Sequence, residues 1–594
     1  MENKINLFEI YNYHPYDSSK VYIDDLITTS EQNLIYEVFK KSFLCINKEI
    51  YDELIDKDFF FSSNNFILCP PNTLVFNLFI KSIILDRVQS LNSSIEFFIG
   101  ANDQELDLNS RFANLYAILV KSIKGKSSFT LNYIKSNSVN YEQITSAKNK
   151  LLSILNFNVK YILFFFINKL NFLYKKKILK IGDNYIIRDI EADLLMKGYK
   201  TLDIKKDLLK IFNRNNDLID SKYSHYDDKL KSIIDKNLEN IAGLYFKDIK
   251  LYESYSSVLS LYLNQMISQL LLNKNLLRKK VSEFKTFNIC LGNGLFGIPG
   301  KAIYDALKYN GIDVLCSEHG LTDGIADRNS ERIFNDESLT SDYLLCYNEA
   351  SISVRSSNLN SNTILINSGG NSTSKKIRNK LFQSIFLRIK YRIFSKTVFY
   401  VSDTMEFNTG KSYPGASNSN IFLDEKNILT VLSKTNKKVI YKPYPSRQYY
   451  ANRLSFLYDH IKHFKNFFFF QEEEDFRYVR SLANIIITQA NESTLEWCIG
   501  SEVPLVYLES SKYNSLKDDK VIEVFKKSFF FFNCDYENWE KDLLDFLNLP
   551  MNTIDRLWKE KNAFRKKYDN LYFMSNKKNA GKIGSKIILK HMNG

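Results

Sequence analysis

The chain lacks the residue patterns that small secreted folds and metal-bound folds rely on. Its 594 residues include seven cysteines, at 45, 69, 290, 316, 346, 498 and 534. The number is odd and none forms C-x-x-C, which excludes a disulfide framework or zinc ribbon and points to a reducing compartment. Cys69, Cys290 and Cys316 sit in apolar, strand-like runs, where a buried free thiol is the default. There are six histidines, no His/Cys cluster and no D-x-D at a strand end, so no metal is implied. The opening MENKINLFEIYNYHPYD has no apolar h-region and is not read as a signal peptide. No run approaches the roughly 18 apolar residues of a spanning helix. The nearest, YILFFFINKLNFLY (161–174), is short and broken by Asn168 and Lys169. There is no internal repeat, no recognisable nucleic-acid module, and no Walker A sequence, which argues against a P-loop NTPase. A cytoplasmic protein, soluble or peripheral, is expected.

What is present is ordinary globular material with a cationic excess. Hydrophobic residues make up 44% and charged residues 25%, enough for a sizeable core without staples. The length exceeds one ordinary domain. Lys+Arg number 81 against 67 Asp+Glu, a net charge of +14. An anionic partner follows from that: a nucleotide, a phospholipid surface or a nucleic acid. Phe and Tyr are abundant, but alongside frequent Lys and Asn they reflect compositional bias more than function.

Strand-like runs appear at 65–69 and 94–100, with a helix-like segment at 112–123. Residues 143–180, 197–212, 227–246 and 257–284 carry helical spacing. FNICLGNG (287–294) then reads as a strand into a Gly-rich turn, followed by a helix over 300–311 and a strand over 312–317. That β-turn-α-β unit implies a parallel sheet. Residues 351–380 are Ser/Asn-rich and read as loop or linker. From 397 onward, strands at 397–402, 438–443, 466–470, 484–488, 504–509 and 528–532 alternate with helices. The expectation is an α/β protein of two Rossmann-type, doubly wound domains facing a cleft. The first spans 1–380 with a helical insertion at about 143–284, the second spans 395–550, and a helical tail covers 551–594.

Ligands of such folds bind at the carboxyl ends of strands. Four candidate constellations lie there. SEHGLTDG (317–324) offers Glu318, His319 and Asp323, any of which is a candidate general base; the bland alternative is a loop His bonded to backbone. YKPYPSR (441–447) offers Lys442, Tyr444, Ser446 and Arg447 to neutralise a phosphate or carboxylate, or else forms the basic first turn of a surface helix. ANESTLEW (490–497) offers Asn491, Ser493 and Thr494 at a turn into a short helix. Its S-x-x-E pattern, Ser493 to Glu496, also reads as a capping box, and Glu496 is assigned to capping. GNGLFGIPG (292–300) lacks the acidic partner of a dinucleotide fingerprint, so Gly292, Asn293 and Gly294 read as a backbone-approach loop facing the cleft.

Taken in order over residues 285–510, these segments resemble bacterial GT-B glycosyltransferases of surface polysaccharide synthesis: capsule Kdo transferases, GT-B sialyltransferases and teichoic-acid glycerophosphotransferases. EHGLTDG resembles the family's H-G loop, YKPYPS its K/R-P-H-P turn, and NESTLEWCIGSEVP (491–504) its polar turn, short helix and G-x-P. Tyr444 stands where the family usually has His, and cannot carry its positive charge. The resemblance implies an inverting, metal-independent transferase that moves a sugar from a nucleotide-activated donor, with no other cofactor. A CMP-linked acidic sugar is favoured as donor and a glycan or lipid-linked molecule as acceptor. His319 is the preferred base, then Asp323, with Glu318 orienting His319 or binding acceptor. Ser493, Thr494, Lys442 and Arg447 would hold the donor phosphate and leaving nucleotide. A CDP-glycerol or ribitol type phosphotransferase and a non-catalytic nucleotide- or glycan-binding protein are the alternatives.

LFQSIFLRIKYRIFSK (381–396) sets Phe382, Ile385, Phe386 and Ile389 at helical spacing among Arg388, Lys390 and Arg392. Such a segment reads either as a helix lying on the anionic inner face of the cytoplasmic membrane or as an interdomain helix with a solvated basic face.

Overall fold

The computed structural model describes residues 5–8, 21–22, 27–55, 58–60, 74–89, 95–99, 118–119, 129–133, 176–214, 226–293, 295, 297–320, 324–325, 336–358, 362–375, 377, 379–402, 418–442, 457, 460–469, 475–490, 493–510, 516–573 and 579–593. Among these residues, ten strands precede residue 370: β1 (Ile5–Phe8), β2 (Val21–Tyr22), β3 (Ile95–Ile99), β4 (Phe129–Tyr133), β5 (Lys176–Ile181), β6 (Tyr199–Asp203), β7 (Ile289–Gly292), β8 (Asp313–Ser317), β9 (Tyr343–Cys346) and β10 (Ile364–Asn367). Six follow: β11 (Thr397–Val401), β12 (Lys438–Lys442), β13 (Phe467–Phe469), β14 (Ile485–Thr488), β15 (Leu505–Glu509) and β16 (Phe530–Asn533).

They form three parallel sheets, one of four strands and two of six. The four-stranded sheet runs β2-β1-β3-β4. The middle sheet runs β6-β5-β7-β8-β9-β10 and the last runs β13-β12-β11-β14-β15-β16. In chain order these last two are 2-1-3-4-5-6 and 3-2-1-4-5-6. Both reverse direction at a topological switch point, between β5 and β7 and between β11 and β14. The protein is therefore α/β, with two doubly wound, Rossmann-type units.

The strands of the last sheet form because short, uninterrupted apolar runs suit burial on both faces. All five residues of β11 and of β15 are buried. The middle sheet holds the corrections to the sequence reading. The ends of the segments expected to be helical, 176–181 and 199–203, are β5 and β6, so the insertion at 143–284 supplies two strands as well as helices. β5 is lysine-rich and β6 is a half-exposed edge strand, so neither carries a clear period-2 pattern; pairing with β7, more than a hundred residues later, decides. The stretch expected as linker, 351–380, contains most of helix Glu349–Asn358 and all of β10. Its Ser and Asn residues suit a short helix and an edge strand as well as a loop. The early strand at 94–100 appears as β3, whereas 65–69 lies outside the described residues.

Helices Thr29–Leu54 and Leu74–Gln89 pack with Asp227–Tyr245 and Ile249–Val281 into one apolar cluster against the middle sheet. The long helix Ile249–Val281 is capped by Asp248, whose side chain accepts from Lys250 N at 2.9 Å, and it ends in Arg278, Lys279 and Lys280, favourable for its dipole. Arg278 crosses to Asp305 on helix Gly297–Tyr309, with Nε and Nη2 at 2.8 and 3.0 Å from its two carboxylate oxygens. Asp305 is fully buried. Arg278 also donates to Asp58 Oδ2 and Asp58 O at 2.7 and 2.5 Å, so losing Asp305 removes part of its pairing and not all of it. Asp305→Ala is expected to cost about 1–3 kcal/mol, read as a lowered urea midpoint at unchanged m-value.

Candidate active site between the two doubly wound units

The carboxyl ends of the middle and last sheets meet. Gly320, three residues beyond β8, lies so close to Ser493 that a Cβ on it would sit 2.8 Å from the Ser493 Cβ. The H-G loop and the polar turn after β14 are therefore in direct contact, though 173 positions apart. His319 is exposed beside that contact, and Ser493 and Thr494 are half-buried. His319 is held from below: its backbone N–H donates to Glu337 at 2.9 Å.

Glu318 points the other way. It is 2% exposed, and its carboxylate accepts from Tyr347 N at 2.6 Å, Arg355 Nε at 2.8 Å and Ser351 Oγ. Arg355 also reaches Glu337 at 3.2 Å. A carboxylate so saturated with donors anchors the loop and is withdrawn from the candidates for the base. His319 thus rides on a loop fixed by a buried Glu318–Arg355–Glu337 network.

Two further expected residues reach the same region. Lys442, at the end of β12, is 1% exposed, and its charge helps hold Asp475. Burial alone would raise the Asp475 pKa; Arg477 and Lys442 outweigh that and keep it below the ordinary carboxylate range. Asn293 follows β7 at the switch point of the middle sheet. Its backbone N–H donates to Ile181 O at 2.7 Å and its amide nitrogen to Asp183 O at 3.0 Å. Gly182, at φ 84°, makes this possible, because a Cβ there would lie 2.0 Å from Asn293 O. The remaining amide atom, Asn293 Oδ1, is buried without a hydrogen-bond partner among the described residues. Gln489, at the other switch point, accepts from Tyr400 OH at 3.4 Å on one end of its amide, and its nitrogen is buried with no hydrogen-bond partner among the described residues. Paired burial is the rule for such atoms, so each switch point keeps an open polar valence. Asp323, Tyr444, Ser446, Arg447, Asn491 and Gly294 lie outside the described residues.

The contact between units depends on residues that carry no local signal. Glu496, assigned to capping from its spacing, is 2% exposed, and its carboxylate accepts from Tyr347 OH at 3.2 Å and Ser374 Oγ at 2.5 Å. It joins the short helix Ser493–Ile499 to the end of β9 and to the connection between units. Arg480 donates to Ser374 O and Trp497 O at 3.2 and 3.1 Å. Burial pushes its guanidinium down to about 10. Arg477 pairs with Asp475 and donates to Tyr185 OH at 2.5 Å. Tyr185 begins the helix after β5, capped by Asn184, whose amide also donates to Ser317 Oγ at 2.8 Å. Trp497 meets the Tyr185 ring edge-on at 5.2 Å.

Glu509, at the carboxyl end of β15, is a further group the sequence reading passed over. Burial, more than any other influence, raises its carboxyl to about 7. An acid of this kind both donates and accepts near neutrality.

No family model matches the sequence and no curated protein matches it. Solved structures with partial similarity include S. aureus MnaA in a co-structure with UDP, at 12% identity and TM-score 0.40, over 70% of this chain and 96% of that one. A UDP-GlcNAc 2-epimerase from Methanocaldococcus jannaschii aligns at 15% identity and TM-score 0.39, over 70% and 99%. A glycosyltransferase from Rickettsia africae aligns at 12% identity and TM-score 0.39, over 71% and 100%. Likenesses this distant do not bear on reaction or substrate.

Two outcomes are expected. A Cβ on Gly500 would lie 1.6 Å from Ser374 O, so Gly500→Ala must displace the connection between units. A loss of about 1–3 kcal/mol in denaturant unfolding is expected. The Glu509 carboxyl sits at about 7 in the fold, above the ordinary glutamate value. Below the unfolded value both states are protonated and nothing is lost. As pH rises from there to about 7 the unfolded state ionises first, and stability falls. Glu509→Gln should therefore leave stability at pH 4 unchanged and raise it at pH 8 by up to about 3 kcal/mol.

Proposed function

We propose that this protein is an inverting, metal-independent glycosyltransferase that moves a sugar from a nucleotide-activated donor to a glycan or lipid-linked acceptor in surface polysaccharide synthesis. A CMP-linked acidic sugar is the favoured donor. The observation that carries the reading is the apposition of the two sheets' carboxyl ends. It sets exposed His319 beside Ser493, while at each switch point a buried amide atom has no partner among the described residues.

The roles follow from chemistry and position. An acceptor hydroxyl attacks the anomeric carbon from the side opposite the nucleotide, and His319 takes its proton as the bond forms. The glycosyl–phosphate bond breaks, and the phosphate leaves with the electron pair. The hydroxyls of Ser493 and Thr494 and the buried cation of Lys442 stabilise that charge where water is scarce. Asp323 is the second candidate for the base, and Arg447, Ser446, Tyr444 and Asn491 complete the donor side. Asn293 supplies one open acceptor from the middle unit.

Nucleotide preference is read by thermal shift with CMP, CDP, UDP and GDP, since a ligand that binds only the folded state raises its melting temperature. CMP is expected to give the largest rise, and a shift with CDP alone would turn the assignment to a polyol-phosphate transferase. With the preferred donor, His319→Ala should lower turnover by about 10²–10⁴-fold with an unchanged melting temperature. Full activity in both His319→Ala and Asp323→Asn would refute the assignment of the base.

A further inference from the structure

Helix Lys380–Tyr391, which joins the middle unit to β11, is mounted with its apolar side outward. Leu381 is 77% exposed, Phe382 62%, Ile385 50% and Ile389 61%. Phe394, just beyond the helix, is 75% exposed. At about 100° per residue the apolar side chains from Leu381 to Phe386 and Ile389 occupy one arc of about 140°. The opposite side, which packs on the protein, carries Gln383 and Leu387, both buried. A helix that serves only as a connector buries its apolar stripe and solvates its polar one; here a glutamine is buried and a row of Leu, Phe and Ile faces out.

The helix is also held against rotation. Arg388 reaches inward, donating to Leu482 O and Asn484 Oδ1 at 2.9 Å each and to Ser395 O at 2.8 Å. It therefore does not belong to the basic face that the sequence spacing gave it. The helix ends in a Schellman motif, with Arg392 N donating to Ile389 O at 3.2 Å and Ile393 N to Arg388 O at 2.9 Å. Arg392 accepts the left-handed conformation, φ 54°, that glycine adopts at lower cost. That places an exposed cation at the end of the apolar row. Lys390 and Lys396 are exposed beside it. An apolar strip rimmed by three cations, on a chain of net charge +14, complements a surface that is apolar beneath and anionic above.

We infer that helix Lys380–Tyr391 with Phe394 is a docking surface for an anionic lipid bilayer, its apolar residues entering the acyl boundary and Lys390, Arg392 and Lys396 resting among the headgroups. The inference extends the proposed function by naming where a lipid-linked acceptor would be met. Docking itself is measured without donor or turnover, so a failure here is distinguishable from a failure of the transferase assignment.

The full chain is sedimented with vesicles of phosphatidylglycerol mixed with phosphatidylethanolamine, and separately with vesicles of phosphatidylcholine. Wild type should pellet with the anionic vesicles and remain largely in the supernatant with the neutral ones. The triple substitution Phe382→Ser, Ile385→Ser and Ile389→Ser should abolish pelleting with circular dichroism and melting temperature retained, because these side chains make little contact with the fold. Lys390→Glu with Arg392→Glu should weaken binding to anionic vesicles more than about tenfold. Wild type that stays in solution with anionic vesicles would overturn the proposal, as would a triple variant that binds like wild type. So would a wild-type dimer in light scattering that the triple substitution converts to monomer, which would assign this face to a second copy of the chain.

Discussion

The arrangement of the two doubly wound units depends on one buried carboxylate. Glu496 leaves the last sheet on a short helix and accepts hydrogen bonds from Tyr347, at the end of β9, and Ser374, in the connection between units. A charge buried this deeply is tolerated only where donors surround it. Its donors come from the other unit and the connector, so its burial requires that the units be docked. Arg480, close enough for their charges to interact, ties the same connector to Trp497 through two carbonyls. The docked geometry then fixes Gly320 against Ser493, a position with no room for a side chain.

That constraint turns two separate sheets into one site. A parallel sheet gathers the loops after its strands at one end, and a switch point parts them into a crevice. With both carboxyl ends apposed, the crevices share walls. One wall carries the loop of His319, braced by Glu318, Arg355 and Glu337; the other carries Lys442, Thr494 and the open end of the Gln489 amide. The bracing residues bond one another beneath the loop, and His319 is left exposed above them.

The sequence made the last unit legible because its strands are short apolar runs regularly spaced by amphipathic helices. It concealed β5, β6 and β10, whose lysines, edge positions and polar flanks leave no period; only pairing across the chain makes them strands. The site was legible in proportion to its locality. The residues of the loop after β8 and the turn after β14 stand together in the sequence, so their chemistry could be read. Tyr185 and Arg477 lie 292 positions apart and carry no signal of one another. Glu496 was misread because a capping pattern and a cross-unit acceptor use the same residue at the same spacing, and only the fold tells them apart. The helix at 380–391 was readable as amphipathic, but not which side it would turn outward; the inward anchoring of Arg388 decides that.

Helix Ala580–Asn593 follows the last unit in sequence. It returns to the middle unit, where Gly581 and Gly584 lie against Asp189 and Ile190, Ser585 Oγ bonds Asp193, and Asn288 donates to His591 O at 3.0 Å. The order of synthesis and the order of assembly therefore disagree. The middle unit is translated first, yet one face of its first helix stays uncovered until residues 580–593 have left the ribosome. The packing of the middle unit is thus completed only once the last unit has been made.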